Sequence, residues 1–176
     1  MKDILEKARQ VKVVIFDVDG VLTDGSLFIG DDGQEYKAFN SRDGHGIKML
    51  QKSGVPVAII TGRTSKVVEF RIRDLGIERV YQGQHDKTEA FNDLLQKMNL
   101  TPDQCAYVGD DVVDLPVMSQ VGLAIAVADA HTMVVKHAHW QTPHAGGRGA
   151  GRDVCEMIME AQGTLADELD SYLFKP

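Results

Sequence analysis

The stretch VVIFDVDG, residues 13–20, joins a run of four apolar residues to a pair of carboxylates. A short apolar run bounded by turn residues is typical of a strand buried inside a sheet. Asp17 and Asp19 are two positions apart, so their side chains point to the same side of an extended chain. The stretch therefore predicts a buried strand that carries two carboxylates at its carboxyl end.

Beyond this strand, short apolar runs alternate with longer stretches of helical periodicity, which is the pattern of βαβ units. The predicted strands are Val11–Phe16, Val55–Ile60, Arg79–Tyr81, Cys105–Val108 and Leu123–Val127. The predicted helices are Asp43–Ser53, Ser65–Leu75, Lys87–Met98, Val112–Val121 and, near the end of the chain, about Arg152–Gln162. We expect an α/β fold, a three-layer Rossmann-like doubly wound parallel sheet, whose ligands bind beyond the carboxyl ends of the strands.

The chain length predicts one domain. With 176 residues, 43% of them hydrophobic, the chain can bury one core but is too short for two ordinary domains. Aromatic residues flank the sequence GDDG at positions 30–33, which predicts a β-hairpin flap over about residues 25–39, inserted after the first strand. A glycine-rich link at 146–151 leads into a C-terminal helix or tail, about 150–176.

The composition argues against several classes of function. A formal net charge of −7 disfavours a nucleic-acid partner, and no stretch approaches membrane-spanning length. The first ten residues carry five charges and no apolar run, which does not suggest a signal peptide. Cys105 and Cys155 lie far apart among apolar residues, as reduced core thiols do. We therefore expect a cytoplasmic protein.

Acidic residues at two predicted strand ends indicate a metal site. Buried neighbouring carboxylates repel each other, and a divalent cation removes that repulsion. Mg²⁺ suits such ligands and is commonly held by one or two carboxylates and a substrate phosphate. The second acidic strand end carries Asp110, Asp111 and Asp114. A solvated turn is the alternative for the first pair, and helix capping would explain one aspartate of the second group.

Two further strand ends suggest a phosphate site. Thr61-Gly62-Arg63 follows a predicted strand and precedes a helix, where a hydroxyl, an N–H group and the helix dipole favour an anion. Lys87 opens another helix, at the end where the dipole disfavours a cation. It therefore needs an anionic partner. The alternatives are an ordinary turn at Thr61 and an exposed lysine paired with Asp86 or Glu89.

These segments together resemble the haloacid dehalogenase superfamily. Its pattern is D-x-D-x-T/V, then T/S, then K, then G-D-x-x-x-D, and the chain has these residues in that order from Asp17 to Asp114. The resemblance implies that Asp17 is the nucleophile, that Asp19 is the general acid and base, and that Thr61 and Lys87 hold the phosphoryl group. It also implies a cation held by Asp17, Asp110 and the backbone carbonyl of Asp19. We expect Asp114 to steady Lys87 or a metal-bound water, and Asp111 to lie behind the ligands or to be a further ligand through water.

Longer segments resemble a capless subgroup, the 3-deoxy-D-manno-octulosonate 8-phosphate phosphatases. These segments are residues 17–25, 39–44, 109–116 and 146–154. The resemblance implies hydrolysis of that acidic sugar phosphate in lipopolysaccharide precursor synthesis, Mg²⁺ dependence with tolerance of Mn²⁺ or Co²⁺, and a homotetramer. Without a cap domain, we expect a neighbouring subunit to shield the site. Between Gly20 and Thr61 there is room for a hairpin and one helix, but not for a cap domain.

An acidic protein with such a substrate needs local cations. The candidates for sugar binding are Asp19, Asn40, Ser41, Arg42, Asp43, Gly44, Lys48, Arg63, Arg71 and Lys87. For each of the cations Arg42, Lys48, Arg63 and Arg71, a solvated surface role is an alternative. Two other functions stay open. One is a broader sugar-phosphate phosphatase or phosphomutase, and the other is a non-catalytic phosphatase-like oligomerisation module.

Overall fold

A computed structural model describes residues 2–174 and contains a six-stranded sheet in which every neighbouring pair of strands is parallel. The strands of this sheet are β1 (Val13–Phe16), β4 (Val57–Ile60), β5 (Arg79–Tyr81), β6 (Cys105–Gly109), β7 (Leu123–Ala126) and β8 (Trp140–Gln141). A separate hairpin is formed by β2 (Phe28–Ile29) and β3 (Glu35–Tyr36). The sheet order is β5-β4-β1-β6-β7-β8.

Helices cover both faces of the sheet. They are α1 (Lys2–Gln10), α2 (Ser41–Lys52), α3 (Lys66–Leu75), α4 (Lys87–Met98), α5 (Leu115–Met118), α6 (Thr132–His137), α7 (Ala150–Gln162) and α8 (Leu165–Leu173). Helices α1, α2, α3 and α7 pack on the face that carries Val14 and Phe16, while α4, α5 and α6 pack on the face that carries Val13 and Ile15. Because strand side chains alternate between faces, β1 contributes to both cores. The α/β doubly wound fold predicted from the sequence is confirmed.

Several boundaries differ from the prediction. The predicted helix Val112–Val121 is instead a 3₁₀ turn at Val112–Asp114 followed by the four-residue α5. Pro116 lacks a backbone N–H, so it fits in the first turn of α5 but not in the interior of a longer helix. Helices α1 and α6 and strand β8 were not predicted. They are short, and each buries little: Ala8 is the fully buried residue of α1 and Val134 that of α6.

The insertion between β1 and β4 consists of the small hairpin and α2. Phe28 pairs with Tyr36, and both side chains are exposed. At the other end of the chain, α7 and α8 together occupy most of the stretch 150–174, for which a helix or a tail was expected, and Lys175–Pro176 lie outside the described residues. Within residues 2–174, no helix has the length and apolar character needed to cross a membrane.

Candidate active site

The carboxyl ends of β4, β1 and β6 lie side by side and line a cleft of about 400 Å³. The chain leaves β1 toward β4 on one side and reaches β6 on the other, which is where doubly wound sheets open a crevice for ligands. The cleft is lined by Asp17, Asp19, Gly25, Thr61, Gly62, Arg63, Gln84, His85, Lys87, Asp110, Asp111 and Val113. All four sequence segments that suggested phosphate or metal chemistry therefore meet at one place.

Asp17 and Lys87 form a buried ion pair at the base of the cleft. Lys87 Nζ lies 2.8 Å from Oδ2 of Asp17, and the two side chains are 2% and 8% exposed. Burial raises the pKa of Asp17 to about 6 although Lys87 opposes the shift. Burial by itself would lower the pKa of Lys87, but the carboxylates of Asp17 and Asp114 raise it above its ordinary value. The alternative of an exposed lysine paired with Asp86 is wrong, since Asp86 instead caps α4.

Asp114 lies beneath Lys87 and is fully buried. Its Oδ1 accepts hydrogen bonds from Lys87 Nζ and from the Tyr107 hydroxyl, both at 2.6 Å. Its Oδ2 accepts from the backbone N–H groups of Asp110 and Asp111, at 3.0 and 3.2 Å. Four donors satisfy this carboxylate, so Asp114 fixes Lys87 and the Asp110 loop and has no oxygen left for another ligand.

Asp110 has a different environment. Among residues 2–174, none donates a hydrogen bond to its carboxylate. Burial, followed by the nearby negative charges of Asp114, Asp17 and Asp111, raises the pKa of Asp110 to about 8. Oxygen atoms of Asp17, Asp110 and Asp114 all lie within 4.8 Å of one another. Because Asp114 is saturated, Asp17 and Asp110 are the carboxylates available to a cation, and this pair of hard oxygen ligands fits Mg²⁺. We call Asp17, Lys87, Asp110 and Asp114 the edge cluster.

The loop after β1 is shaped by a glycine. Gly20 has φ +86°, and a Cβ at this position would lie 2.1 Å from Oδ2 of Asp110. Only a residue without a side chain lets the two loops approach this closely. The loop is also fastened by Thr23, whose hydroxyl accepts from the N–H groups of Gly20 and Gly25 at 3.3 and 3.2 Å. A Cβ at Gly146 would lie 1.8 Å from the carbonyl oxygen of Gly20, so the glycine-rich link packs closely against this loop.

The Asp19 side chain faces away from the edge cluster and toward the hairpin. Its Oδ1 lies 2.5 Å from Nζ of Lys37, and its Oδ2 lies 3.9 Å from Nε of Arg63. The Asp19 carboxylate is therefore not part of the acidic group that could hold a metal. Any contribution of Asp19 to a cation would come from its backbone carbonyl.

Thr61 and Asp111 occupy the two sides of the cleft. Thr61 is buried at the end of β4, and its backbone is held by Tyr81 and Gln84 through hydrogen bonds of 2.9 and 3.0 Å. Asp111 is exposed and caps the 3₁₀ turn by accepting from Val112 N at 2.7 Å. The capping role considered for an aspartate in this segment thus falls to Asp111.

The other predicted sugar-binding residues do not line the cleft of this chain. Asn40 caps α2, and Asp43 is buried with its Oδ1 accepting from Arg152 N at 2.9 Å. Arg71 donates to the Asn40 carbonyl at 3.3 Å and to Asp74 at 3.1 Å. The remaining members of this group lie on α2: Ser41, Arg42 and Lys48 are exposed, and Gly44 is buried against Arg71.

Sequence reasoning missed Lys37 and Tyr107 and gave His85 no role. A tyrosine within a buried strand needs a partner for its hydroxyl, so Tyr107 could have been noticed. Lys37 gave no such signal, because nothing in the hairpin sequence shows that its ammonium turns inward. His85 lines the cleft just ahead of Lys87.

Comparison with known proteins identifies the family of the chain. A model of haloacid dehalogenase-like hydrolases matches residues 32–122. Over 163 residues, 93% of this chain and 87% of the relative, the sequence is 52% identical to the 3-deoxy-D-manno-octulosonate 8-phosphate phosphatase of Escherichia coli strain K12. The chain belongs to the haloacid dehalogenase-like hydrolase family.

Solved structures of relatives of this haloacid dehalogenase-like hydrolase contain metals. The 3-deoxy-D-manno-octulosonate 8-phosphate phosphatase from Moraxella catarrhalis, in complex with a magnesium ion, a phosphate ion and KDO, matches with a TM-score of 0.96 at 38% identity, covering 98% of this chain and 99% of that chain. The cobalt-bound form of the deoxy-D-mannose-octulosonate 8-phosphate phosphatase from Haemophilus influenzae has a TM-score of 0.91 at 42% identity, covering 96% and 99%.

Proposed function

We propose that this chain is a Mg²⁺-dependent phosphatase that hydrolyses 3-deoxy-D-manno-octulosonate 8-phosphate to 3-deoxy-D-manno-octulosonate and phosphate, by way of a phosphoaspartate on Asp17. The observation that carries the proposal is the edge cluster, in which Lys87 pairs with Asp17 and Asp114 and an oxygen of Asp110 lies within 4.8 Å of oxygens of both carboxylates. The sequence identity of 52% to a phosphatase of that substrate supports the choice of sugar.

Asp17 is the proposed nucleophile. A carboxylate oxygen of Asp17 forms the new bond to phosphorus while the bond from phosphorus to the sugar oxygen breaks, so one difficult displacement is divided into two. The geometry suits this role because Asp17 Oδ1 is held by Val18 N at 2.7 Å and Oδ2 by Lys87. Both contacts fix the carboxylate before the substrate arrives.

Asp19 is the proposed general acid and base. It gives a proton to the departing sugar oxygen and later takes one from the water that attacks the phosphoaspartate. Its side chain lines the cleft two residues after Asp17 and does not belong to the acidic group that could hold a metal. The Asp19 carboxylate is therefore available for proton transfer, because the metal would be bound by other carboxylates and by the Asp19 backbone carbonyl.

Asp17, Asp110 and the backbone carbonyl of Asp19 would hold the Mg²⁺. When bound, the ion neutralises charge on the phosphate and on the carboxylates around it. Lys87 and Thr61 would bind phosphoryl oxygens, where preorganised donors matter most. The cobalt-bound relative supports tolerance of Co²⁺, and Mn²⁺ has similar ligand preferences.

Arg63 is the proposed sugar-side cation of this chain, because it lines the cleft and is 46% exposed along its side chain. The α2 residues predicted to bind sugar would need a second copy of the chain to bring them to a cleft. We infer a homotetramer, in which the exposed apolar side chains Leu27, Phe28, Ile29 and Tyr36 of the hairpin are covered. Light scattering that finds a fully active monomer would contradict this assembly. We also infer a cytoplasmic location and a place in lipopolysaccharide precursor synthesis.

Phosphate release from a panel of sugar phosphates, each measured with and without a chelator, tests the function. We expect release from 3-deoxy-D-manno-octulosonate 8-phosphate to exceed release from hexose and pentose phosphates by at least about 100-fold in kcat/KM, which corresponds to about 2.7 kcal/mol. The chelator should abolish it and added Mg²⁺ should restore it. Equal rates across the panel would contradict the substrate, and release that survives the chelator would contradict the metal.

A further inference from the structure

Four charged side chains form a closed ring beside the cleft, and two of them, Asp19 and Arg63, line it. We call these four side chains the charge ring. Lys37 Nζ lies 2.5 Å from Oδ1 of Asp19 and 3.1 Å from Oε1 of Glu35. Arg63 closes the ring, since its Nη2 lies 3.1 Å from the same Glu35 oxygen and its Nε lies 3.9 Å from Oδ2 of Asp19. The charge ring therefore joins the loop after β1, the hairpin and the loop after β4.

The Lys37 side chain differs in burial from the aromatic side chains of the hairpin. Its side chain is 0% exposed, whereas Phe28 and Tyr36 are 57% and 58% exposed. A lysine is almost never fully buried unless it is paired, because the ammonium must be compensated when it leaves water. Ion pairs exposed to solvent contribute little to stability, but the Lys37 ammonium is covered and lies between two carboxylates, so that rule does not apply to it. Lys37 thus marks the point at which the hairpin contacts the site.

The charge ring fixes the orientation of Asp19. One carboxylate oxygen faces Lys37 and the other faces Arg63. A general acid works only within hydrogen-bond reach of the oxygen that it protonates, so small errors in its placement are costly. Arg63 is half exposed and its contact with Asp19 is long, which leaves Lys37 as the main restraint.

We propose that Lys37 is a positioning residue, which holds the Asp19 carboxylate in the orientation from which it serves the leaving oxygen of the sugar phosphate. This inference rests on the proposed function. Glu35 in turn fixes Lys37 and Arg63. The hairpin then contributes to the chemistry through Lys37, in addition to any role at a subunit interface.

The identity of the leaving group separates this role from a structural one. When the sugar phosphate reacts, the bond from phosphorus to the sugar oxygen breaks, a bond from phosphorus to Asp17 forms, and the proton of Asp19 passes to the sugar oxygen. A p-nitrophenolate or acetate leaving group departs without that proton. A misplaced Asp19 therefore slows transfer from the sugar phosphate and spares transfer from p-nitrophenyl phosphate or acetyl phosphate.

The test compares Lys37→Met with Lys52→Met as a matched control. Lys52 also forms an ion pair, with 2.9 Å between its Nζ and Oε2 of Glu168, but it does not line the cleft. The quantity measured is kcat/KM, which reports phosphoryl transfer to Asp17. For Lys37→Met we expect a loss of about 10- to 100-fold on 3-deoxy-D-manno-octulosonate 8-phosphate, part of the usual contribution of general acid catalysis. On the two activated phosphates the loss should be under about threefold. Lys37→Arg should recover part of the activity, and Lys52→Met should match the wild type.

Equal losses on both kinds of substrate, or no loss on the sugar phosphate, would overturn the proposal. If Lys37→Met does not melt cooperatively, Glu35→Gln is tested in its place. This variant keeps the ammonium of Lys37 but removes the second carboxylate that holds it, which is Glu35. We expect a smaller loss with the same dependence on leaving group, and an unselective loss would again refute the role of Lys37. Failure of the proposed function is a separate result, because wild-type protein would then release no phosphate from the sugar phosphate.

Discussion

The edge cluster and the charge ring both place carboxylates beside cations, but their charges balance differently. The edge cluster has three carboxylates and one ammonium, which leaves two negative charges in excess. The charge ring has two carboxylates and two cations. A buried excess of negative charge is costly unless a cation compensates it. We therefore expect the edge cluster to bind a divalent ion, whereas the charges of the charge ring already balance and its proposed role is to hold side chains in place.

Replacing the proposed nucleophile should have the largest effect on activity. Asp17→Asn keeps the shape of the side chain but replaces the carboxylate by an amide, whose oxygen is a much weaker nucleophile, so we expect kcat to fall by about 1,000-fold or more. The protein should still fold, because the change removes one of three crowded carboxylates. Circular dichroism and thermal melting check the fold, and phosphate release checks the rate. Residual turnover within tenfold of the wild type would rule out Asp17 as the nucleophile.

The excess charge of the edge cluster should make metal binding depend on pH. The pKa of Asp110 is raised from its ordinary value of 3.8 to about 8 in the folded protein without metal. Between pH 3.8 and pH 8, the folded state therefore binds more protons at this group than the unfolded state does. The contribution of Asp110 to stability without Mg²⁺ is therefore present at low pH and is lost as pH rises toward 8. Mg²⁺ must displace that proton, so its apparent affinity should weaken by about tenfold for each pH unit below 8.

Calorimetric titration with Mg²⁺ at pH 6, 7 and 8 measures this dependence, together with the number of protons released. The charge ring offers the contrast, because its cations already balance its carboxylates. Lys37→Met should leave the pH dependence of Mg²⁺ affinity unchanged. An affinity that is flat from pH 6 to pH 8 would contradict the raised pKa of Asp110 in the metal-free protein.

The close approach of the two acidic loops can be tested at a glycine. Gly20→Ala places a Cβ 2.1 Å from an Asp110 oxygen, in addition to the strain of a residue at φ +86°. Gly33 in the hairpin is a matched control, since it has φ +79° with nothing within 4 Å of a built Cβ. Backbone strain of about 1–3 kcal/mol is common to both variants.

We expect both alanine variants to lower the free energy of unfolding in urea, with Gly20→Ala the less stable of the two. Only Gly20→Ala should also weaken Mg²⁺ binding, by about tenfold, because it displaces the Asp110 carboxylate. If the two variants bind Mg²⁺ equally well, the contact between these loops is not needed for the metal site.

The sequence was informative where the physical constraint was local. The apolar strands, and the acidic, hydroxyl and lysine side chains at their ends, follow from periodicity and from the rule that parallel strands end at one edge. The positions of Thr61, Lys87 and Asp110 around Asp17 were therefore predictable. The orientation of Asp19 was not, because Lys37 reaches it across 18 positions from a loop whose conformation no local pattern determines. The exposed side chains Ser41, Arg42 and Lys48 of α2 show the same limit of sequence analysis. A sequence pattern predicts that such polar side chains are exposed, but not whether they lie near the cleft.

Tyr107 should have the smallest effect, and it tests how the edge cluster is braced. Its hydroxyl donates to Asp114 at 2.6 Å and lies 3.2 Å from Lys87 Nζ. In Tyr107→Phe, Asp114 keeps three of its four donors, so we expect a loss of about 1 kcal/mol in stability and a reduction in kcat of about threefold. Urea unfolding and steady-state kinetics on the sugar phosphate measure the two quantities. Tyr107 lies beneath the cluster and not in the cleft, so KM should not change. A large rise in KM would mean that this hydroxyl supports substrate binding and not the orientation of Lys87.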